Sequence, residues 1–306
     1  MSFYEVIKKN ARLALQGKWR GAIGVFALAF GVAGALVWAE KTALSIFVPY
    51  PFQNQPPADY AHYLRALLSY SPLELVITAI SMVLFLLILA PVLLGITRWF
   101  YVLIQGRQAA FVEVFYFFES LRRYGRAIWY TVQLIARTLA WGVVFMILPG
   151  GVMGVSVYFL RMEGLARQTR TAASAGVMLA FGMLALAVLL YAIHINKYAL
   201  AAYLLCESDD VSVMQAFGTS AKYTKGYRGI KLLFTISFAG WYLISPLTFF
   251  LLLLFVIPYH AAGETVFARY LVEKNRFQEP QATREFGGVH PGGIVVSVPP
   301  RGARFD

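Results

Sequence analysis

Residues 209–274 read DDVSVMQAFGTSAKYTKGYRGIKLLFTISFAGWYLISPLTFFLLLLFVIPYHAAGETVFARYLVEK. A polar amphipathic stretch leads into a basic knot of Lys222, Lys225, Arg228 and Lys231. A long apolar run follows, interrupted at Ser245-Pro246, and a basic, aromatic exit closes the stretch. Two looser versions of the same unit occur earlier in the chain. A unit of this kind is what a helical hairpin crossing a bilayer from a basic interface requires, and it decides the fold class: an all-α, polytopic helical membrane protein.

Composition agrees. The 306 residues are 59% hydrophobic and 14% charged, against about 25% charged in a soluble domain. Several runs approach the roughly 20 apolar residues needed to cross hydrocarbon. No alternating polar pattern suggests a barrel. The net charge of +12 would suggest nucleic acid in a soluble protein, but the positive-inside rule accounts for it here and no nucleic-acid partner is expected. A single cysteine, Cys206, excludes an internal disulfide and a Cys-based metal cluster.

Outward from the third unit, six spans are expected: about 19–38, 73–97, 127–148, 172–195, 229–244 and 247–269. One tilted helix from Gly229 to Ile257 is the alternative to the last two, giving five. Residues 1–18 place Phe3, Val6, Ile7, Ala11, Ala14 and Leu15 on one helical face, as in a helix lying in an anionic headgroup layer. Val37-Trp38-Ala39 resembles a signal-cleavage site, but the preceding arm and the long apolar run favour a retained span. The 39–72 loop carries Pro49, Pro51, Pro56 and Pro57, and its tail, AHYLRALLSY, reads as a short interfacial helix. Pro149-Gly150-Gly151 is expected to stop or kink the third span. Residues 152–171 read as a re-entrant piece, a kinked continuation or a loop. FVEVFYFFESLR (111–122) forms a second amphipathic stretch, and a third begins at Asp209 or Ser212 as N-cap. The tail from 276 to 306 reads as flexible, with IVVSV (294–298) able to add a strand to a partner's edge.

Charge sets the orientation. Five Lys or Arg lie in the N-terminal arm (Lys8, Lys9, Arg12, Lys18, Arg20) and five between the second and third spans (Arg98, Arg107, Arg122, Arg123, Arg126). Four are in the basic knot and six in the C-terminal segment (Arg269, Lys274, Arg276, Arg284, Arg301, Arg304). The opposite side holds Lys41, Arg65, Arg161, Arg167 and Arg170. Both termini are therefore expected in the cytoplasm.

NARLALQGKWRGAIGVFALAF, ESLRRYGRAIWYTVQLIAR and TSAKYTKGYRGIKLLFTISF align as three units, with Gly17, Gly125 and Gly226 in equivalent places. The exits Arg98-Trp99, Lys197-Tyr198 and Arg269-Tyr270 also correspond. Either this is a threefold repeat, of a kind used by transporters, or every basic interface selects Gly, Lys, Arg, Trp and Tyr.

The third unit carries a resemblance. Ser220-x4-Lys225-Gly226, then FTISFAGW with Ser237, Phe238, Gly240 and Trp241, then Pro258-Tyr259, resembles a bacterial integral membrane family. It is catalogued as domain of unknown function, number nine hundred and seventy-five. ARLALQGKWRGAIGVF and Pro149-Gly150 are similar to that pattern too. The chain departs from it after Pro149, where an added apolar span precedes NKYALAAYLLCE. The resemblance implies a multi-pass bacterial inner-membrane protein and carries no activity.

No HExxH, GxSxG, P-loop or GxGxxG motif occurs. The four histidines show no ligand spacing, so neither an enzyme, nor a metal, nor a cofactor is expected. The candidate intramembrane polar site is Gln133, Arg137, His194, Lys197, His260 and Glu264, with Arg137 paired to Glu264. The plainer alternative is snorkelling around one structural ion pair. Candidate lipid-headgroup contacts are Lys8, Lys9, Arg12, Lys18, Arg122, Arg123, Arg126, Lys222, Lys225 and Arg228. The aromatic clusters Trp99-Phe100-Tyr101 and Phe111, Phe115, Phe117 and Phe118 read as interfacial anchors. The expected role is a scaffold or accessory subunit acting through anionic lipid, another membrane protein or a second copy. A small transporter or channel is the alternative.

Overall fold

The structure, a computed structural model, describes residues 3–48, 71–162 and 166–278. The described residues are helical and contain no strand. In order they form α1 (Phe3–Leu15), α2 (Trp19–Phe47), α3 (Pro72–Ile104), a 3-10 segment (Phe111–Phe118), α4 (Leu121–Arg161) and α5 (Arg167–Ile195). A 3-10 turn (Asn196–Tyr198), α6 (Ala201–Glu207), α7 (Val213–Tyr223), α8 (Arg228–Ile236), α9 (Ala239–Ile244), a 3-10 turn (Ser245–Thr248) and α10 (Leu253–Gln278) complete them.

Among the described residues five stretches are long and apolar enough to cross a membrane: Trp19–Phe47, Pro72–Ile104, Leu121–Arg161, Arg167–Glu207 and Arg228–Thr248. Only 11–22% of their most apolar windows is buried inside the protein. Large apolar side chains such as Phe30, Trp38, Met82, Leu139, Ile147, Met178 and Leu243 point outwards. A surface this apolar is unusual for a protein dissolved in water and is the ordinary surface of one dissolved in lipid. The chain is therefore a polytopic helical membrane protein in its architecture.

Helix pairs α2/α3 and α4/α5 are long antiparallel hairpins. In the second, Tyr191 donates to the Thr138 carbonyl (3.1 Å), and Gly176 leaves room for the Ser156 hydroxyl, which a Cβ would meet at 2.3 Å. The third hairpin reverses just beyond Ser245-Pro246, through left-handed Phe249 (φ 48°) and Phe250 (φ 63°). Its returning limb, α10, is a continuous helix through Pro258 but is not among the five stretches apolar enough to span.

Several boundaries differ from the sequence reading. Pro149-Gly150-Gly151 does not end the third span, because α4 runs on to Arg161. A proline costs a helix one hydrogen bond and some steric strain. In hydrocarbon the backbone has no better alternative than to remain helical. The ambiguous stretch 152–171 is accordingly helix up to Arg161 and helix again from Arg167. The tail boundary moves as well, since α10 continues to Gln278. AHYLRALLSY, IVVSV and the tail beyond 278 lie outside the described residues.

The core sits at one end, here the base, where the charged ends of the hairpins meet the short helices. Its largest buried side chains include Trp99, Phe100, Phe117, Phe217, Phe234 and Phe267. Helix α1 packs on α10, burying Ile7, Ala11, Ala14 and Leu15. The Phe3 ring meets Phe267 and Tyr270 at 5.8 and 5.1 Å. The apolar face expected against lipid is thus covered by protein, leaving Lys9, Arg12 and Lys18 outside. The anchors divide in the same way: Trp99, Phe100 and Phe117 are buried, whereas Phe111, Phe115 and Phe118 are exposed.

The proposed repeat holds in part. Gly17 (φ 72°) and Gly226 (φ 84°) both adopt the left-handed conformation that ends a helix before a span. Gly125 lies inside α4, whose N-cap is Ser120, and in the second unit a 3-10 segment replaces the amphipathic helix. All three exit aromatics, Trp99, Tyr198 and Tyr270, are buried.

Gly95 permits the closest approach in the base: a Cβ there would lie 1.9 Å from the Val114 carbonyl oxygen. Gly95→Ala should therefore displace the 3-10 segment and cost about 1–3 kcal/mol. Gly31→Ala, where a Cβ meets nothing within 4 Å, should be neutral or mildly stabilising. Thermal unfolding of both variants in mild detergent checks this.

Candidate functional site

Three groups of polar side chains stand out, and the six residues proposed as one intramembrane site fall into two of them.

The first group knits the base. Asp209, in the turn between α6 and α7, receives Arg123 Nε (2.9 Å), Arg126 Nη1 (3.0 Å) and the Tyr116 hydroxyl (2.9 Å). Arg126 Nη2 also donates to the carbonyls of Ser208 (2.9 Å) and Val211 (2.7 Å). The Tyr116 ring is held between two guanidinium groups, Arg98 at 3.5 Å and Arg123 at 4.0 Å. Arg98 reaches Glu113 (3.0 Å) and the Cys206 carbonyl (2.6 Å). Ser212 starts α7 with a capping box completed by Gln215, which fixes where the turn ends. Burial of the Asp209 carboxyl would raise its pKa, but the hydrogen bonds from Arg123 and Tyr116 and the charges of Arg123 and Arg126 outweigh this and hold it below the ordinary value.

The second group lies between α8 and α10. Glu264 is ion-paired with Lys231, accepts from Thr235 (3.2 Å) and contacts His260 Nε2 (3.2 Å). The other ring nitrogen of His260 contacts the Tyr242 hydroxyl (2.9 Å). The result is a chain from Tyr242 through His260 and Glu264 to Lys231. This corrects the expected Arg137–Glu264 pair, since the cation at Glu264 is Lys231, with the His260 ring beside it. The reason is register. Reflecting the sequence about the turn at 245–250 places Lys231 and Thr235, one helical turn apart, opposite Glu264. The sequence reading had assigned Lys231 to the topological basic knot alone, although the reflection was available to find it. A hydrogen-bonded pair between two packed helices answers a charge that would otherwise stand alone in a poorly solvated place.

The third group surrounds Arg137, half-buried where α4, α5 and α7 meet. Its Nε donates to Gln133 Oε1 over a long 3.4 Å, and Nη2 approaches Met214 Sδ at 3.2 Å. The guanidinium lies over the rings of Phe217 (4.6 Å) and Tyr198 (5.6 Å). Lys197 Nζ contacts His194 Nε2 and lies over Trp141 (4.2 Å) and Tyr198 (4.8 Å). Among the described residues neither Arg137 nor Lys197 has a carboxylate within ion-pair distance. Each cation–π contact contributes about 0.5–2 kcal/mol, which offsets part of the ~2.5–3.5 kcal/mol for a central arginine on the insertion scale.

The candidate headgroup contacts also divide. Lys9, Arg12, Lys18, Arg122 and Lys225 are exposed, as is Lys222. Arg123 and Arg126 are engaged by Asp209, Lys8 lies over the Phe238 ring (4.8 Å), and Arg228 donates to the Ala221 carbonyl (3.2 Å).

A family model described as Protein of unknown function (DUF975) matches residues 1–275. No curated protein and no solved structure matches the chain.

Two outcomes follow from these geometries. Lys231→Met and Glu264→Gln should each destabilise by about 3–5 kcal/mol, and the double variant should recover much of the loss; Arg137→Leu combined with Glu264→Gln should be additive. A double-mutant cycle of thermal stability in detergent measures both. Asp209 has a depressed folded-state pKa, so its contribution is present above the ordinary carboxylate range and lost as pH falls through the folded value. Asp209→Asn should therefore cost on the order of 1 kcal/mol at neutral pH. Variant and wild type should converge in acid, as read from melting temperatures across pH.

Proposed function

The chain belongs to the DUF975 family of unknown function, and we propose that it is a non-enzymatic scaffold or accessory subunit of the bacterial inner membrane, with both termini cytoplasmic. The observation that carries this reading is the construction of the base. The short helices α1 and α7 and the 3-10 segment are tied to the hairpin ends by the Asp209 cluster and by the α1–α10 contact. A platform held this firmly keeps its exposed basic rim, Lys9, Arg12, Lys18, Arg122 and Lys225, in a fixed arrangement. Such a rim suits an acidic partner surface or anionic headgroups, the partner being another membrane protein or a second copy.

The docking of Phe3 against Phe267 and Tyr270 supports an even number of crossings, and the Lys and Arg distribution supports a cytoplasmic base. One observation favours a transporter instead: the Tyr242–His260–Glu264–Lys231 chain places linked titratable groups between two packed helices, as proton-coupled carriers do.

Native pull-down in mild detergent is the deciding experiment. A stoichiometric partner is expected, lost on combined charge reversal of Lys9, Arg12 and Lys18 without a change in thermal stability. Solute or proton flux in proteoliposomes, abolished by Glu264→Gln and with no partner retained, would replace the scaffold by the carrier. For orientation, a reporter at Asp306 should be cytoplasmic and a tag within residues 51–60 reachable from outside.

A further inference from the structure

The half-buried cations of the base are mostly answered by acids: Arg98 by Glu113, Arg123 and Arg126 by Asp209, Lys231 by Glu264, and Arg276 by Glu207. Arg137 and Lys197 differ. Both lie beside the Tyr198 ring. A third cation flanks them: Arg228 begins α8, which packs against the 3-10 turn that carries Lys197, and its buried Nε has no hydrogen-bond partner. Three positive charges gathered around aromatic walls repel one another, and an arrangement rich in donors and poor in acceptors is complementary to an anion.

The chemistry narrows the anion. A guanidinium and an ammonium side by side offer a planar fork and a point charge, the combination that suits phosphate oxygens. The surroundings narrow it further. Met214, which contacts Arg137, is 49% exposed, so the group opens to the outside. Val144 and Leu148, seven and eleven residues beyond Arg137 and so on the same face of α4, are 58% and 64% exposed on the apolar exterior. A headgroup at the cations would leave an acyl chain free to run along that surface.

We propose that Arg137 and Lys197, flanked by Arg228 and walled by Trp141, Tyr198 and Phe217, bind a phosphate-bearing anion of the kind presented by an anionic phospholipid headgroup. The site is separate from the exposed basic rim and stands or falls independently of the scaffold reading.

The test uses the full chain in mild detergent, with native mass spectrometry and thermal shift as readouts. The probes are phosphatidylglycerol, phosphatidylcholine and inorganic phosphate. The wild type should retain and be stabilised by phosphatidylglycerol in preference to phosphatidylcholine. Lys197→Gln and Arg137→Gln should each weaken that preference about fivefold per charge removed. Lys197→Arg should preserve it, and so should the rim variant Lys9→Gln/Arg12→Gln/Lys18→Gln. Stabilisation by inorganic phosphate alone, lost in the same two variants, would keep the site but make its ligand a soluble phosphate. Equal affinity of the wild type for the two lipids with no effect of phosphate would overturn the proposal, and needs no variant to fold. A preference lost in the rim variant and intact in Lys197→Gln would overturn it equally.

Discussion

Burial of α10 on nearly every side is the constraint on which the rest of the base depends. Ala262, Val266, Phe267, Ala268, Tyr270 and Leu271 are each almost wholly enclosed. The same helix carries Glu264, Arg269, Glu273 and Arg276. Lipid could cover its apolar positions but could not hydrogen-bond its charged ones. Protein must do both, so α10 is surrounded by α1, α3 and the last hairpin's other limb. Arg269 donates to the Ile104 carbonyl (2.8 Å) at the end of α3, and Arg276 pairs with Glu207 at the end of α6. Gly263 lets Phe234 of α8 approach closely, a Cβ there lying 2.7 Å from the ring. Helix α1 supplies the remaining cover, and this is why it docks on protein rather than lying on the headgroups.

The electrostatics follow from the same geometry. Once elements crowd around α10, charges that water would have solvated are half-buried, and each needs a partner at close range. Asp209, Glu207, Glu113 and Glu264 supply these partners, drawn from four different elements. They also act as ties: Asp209 joins the α6–α7 turn to α4, and Glu113 joins the 3-10 segment to α3. The Arg137–Lys197 group stands outside this pattern, where the base gives way to the lipid-facing hairpins, which gives it a role different from bracing.

Much of the architecture was legible in the sequence. Apolar runs bounded by basic and aromatic residues marked the hairpins, Ser245-Pro246 marked the last reversal, and Ser212 announced the start of α7. The family resemblance, read from Lys225-Gly226 and FTISFAGW, agrees with the family match over residues 1–275. What escaped was what the pattern does not encode. An apolar helical face looks the same whether lipid or protein covers it, so the docking of α1 was misread. Pro149 carries a breaker's meaning learnt from water, where an unwound backbone finds other partners. Glu264 was given the wrong cation because Arg137 looked costly in isolation, whereas the partner depends on hairpin register. Arg137 and Lys197 were placed by sequence in one candidate site together with His260 and Glu264; which of these residues meet depends on the α4–α5 hairpin folding back at the right height, and that the pattern does not encode.

The account rests on α1 being part of the packed base in the native membrane. Cysteine pairs test this directly. Phe3→Cys with Tyr270→Cys, at positions whose rings lie 5.1 Å apart, would be introduced in a Cys206→Ala background and oxidised in isolated membranes. The account predicts rapid formation of an intrachain cross-link, with little in a control pairing Phe3→Cys with Leu139→Cys. Failure of the Phe3–Tyr270 pair to cross-link while the protein remains folded would contradict it and return α1 to the lipid surface.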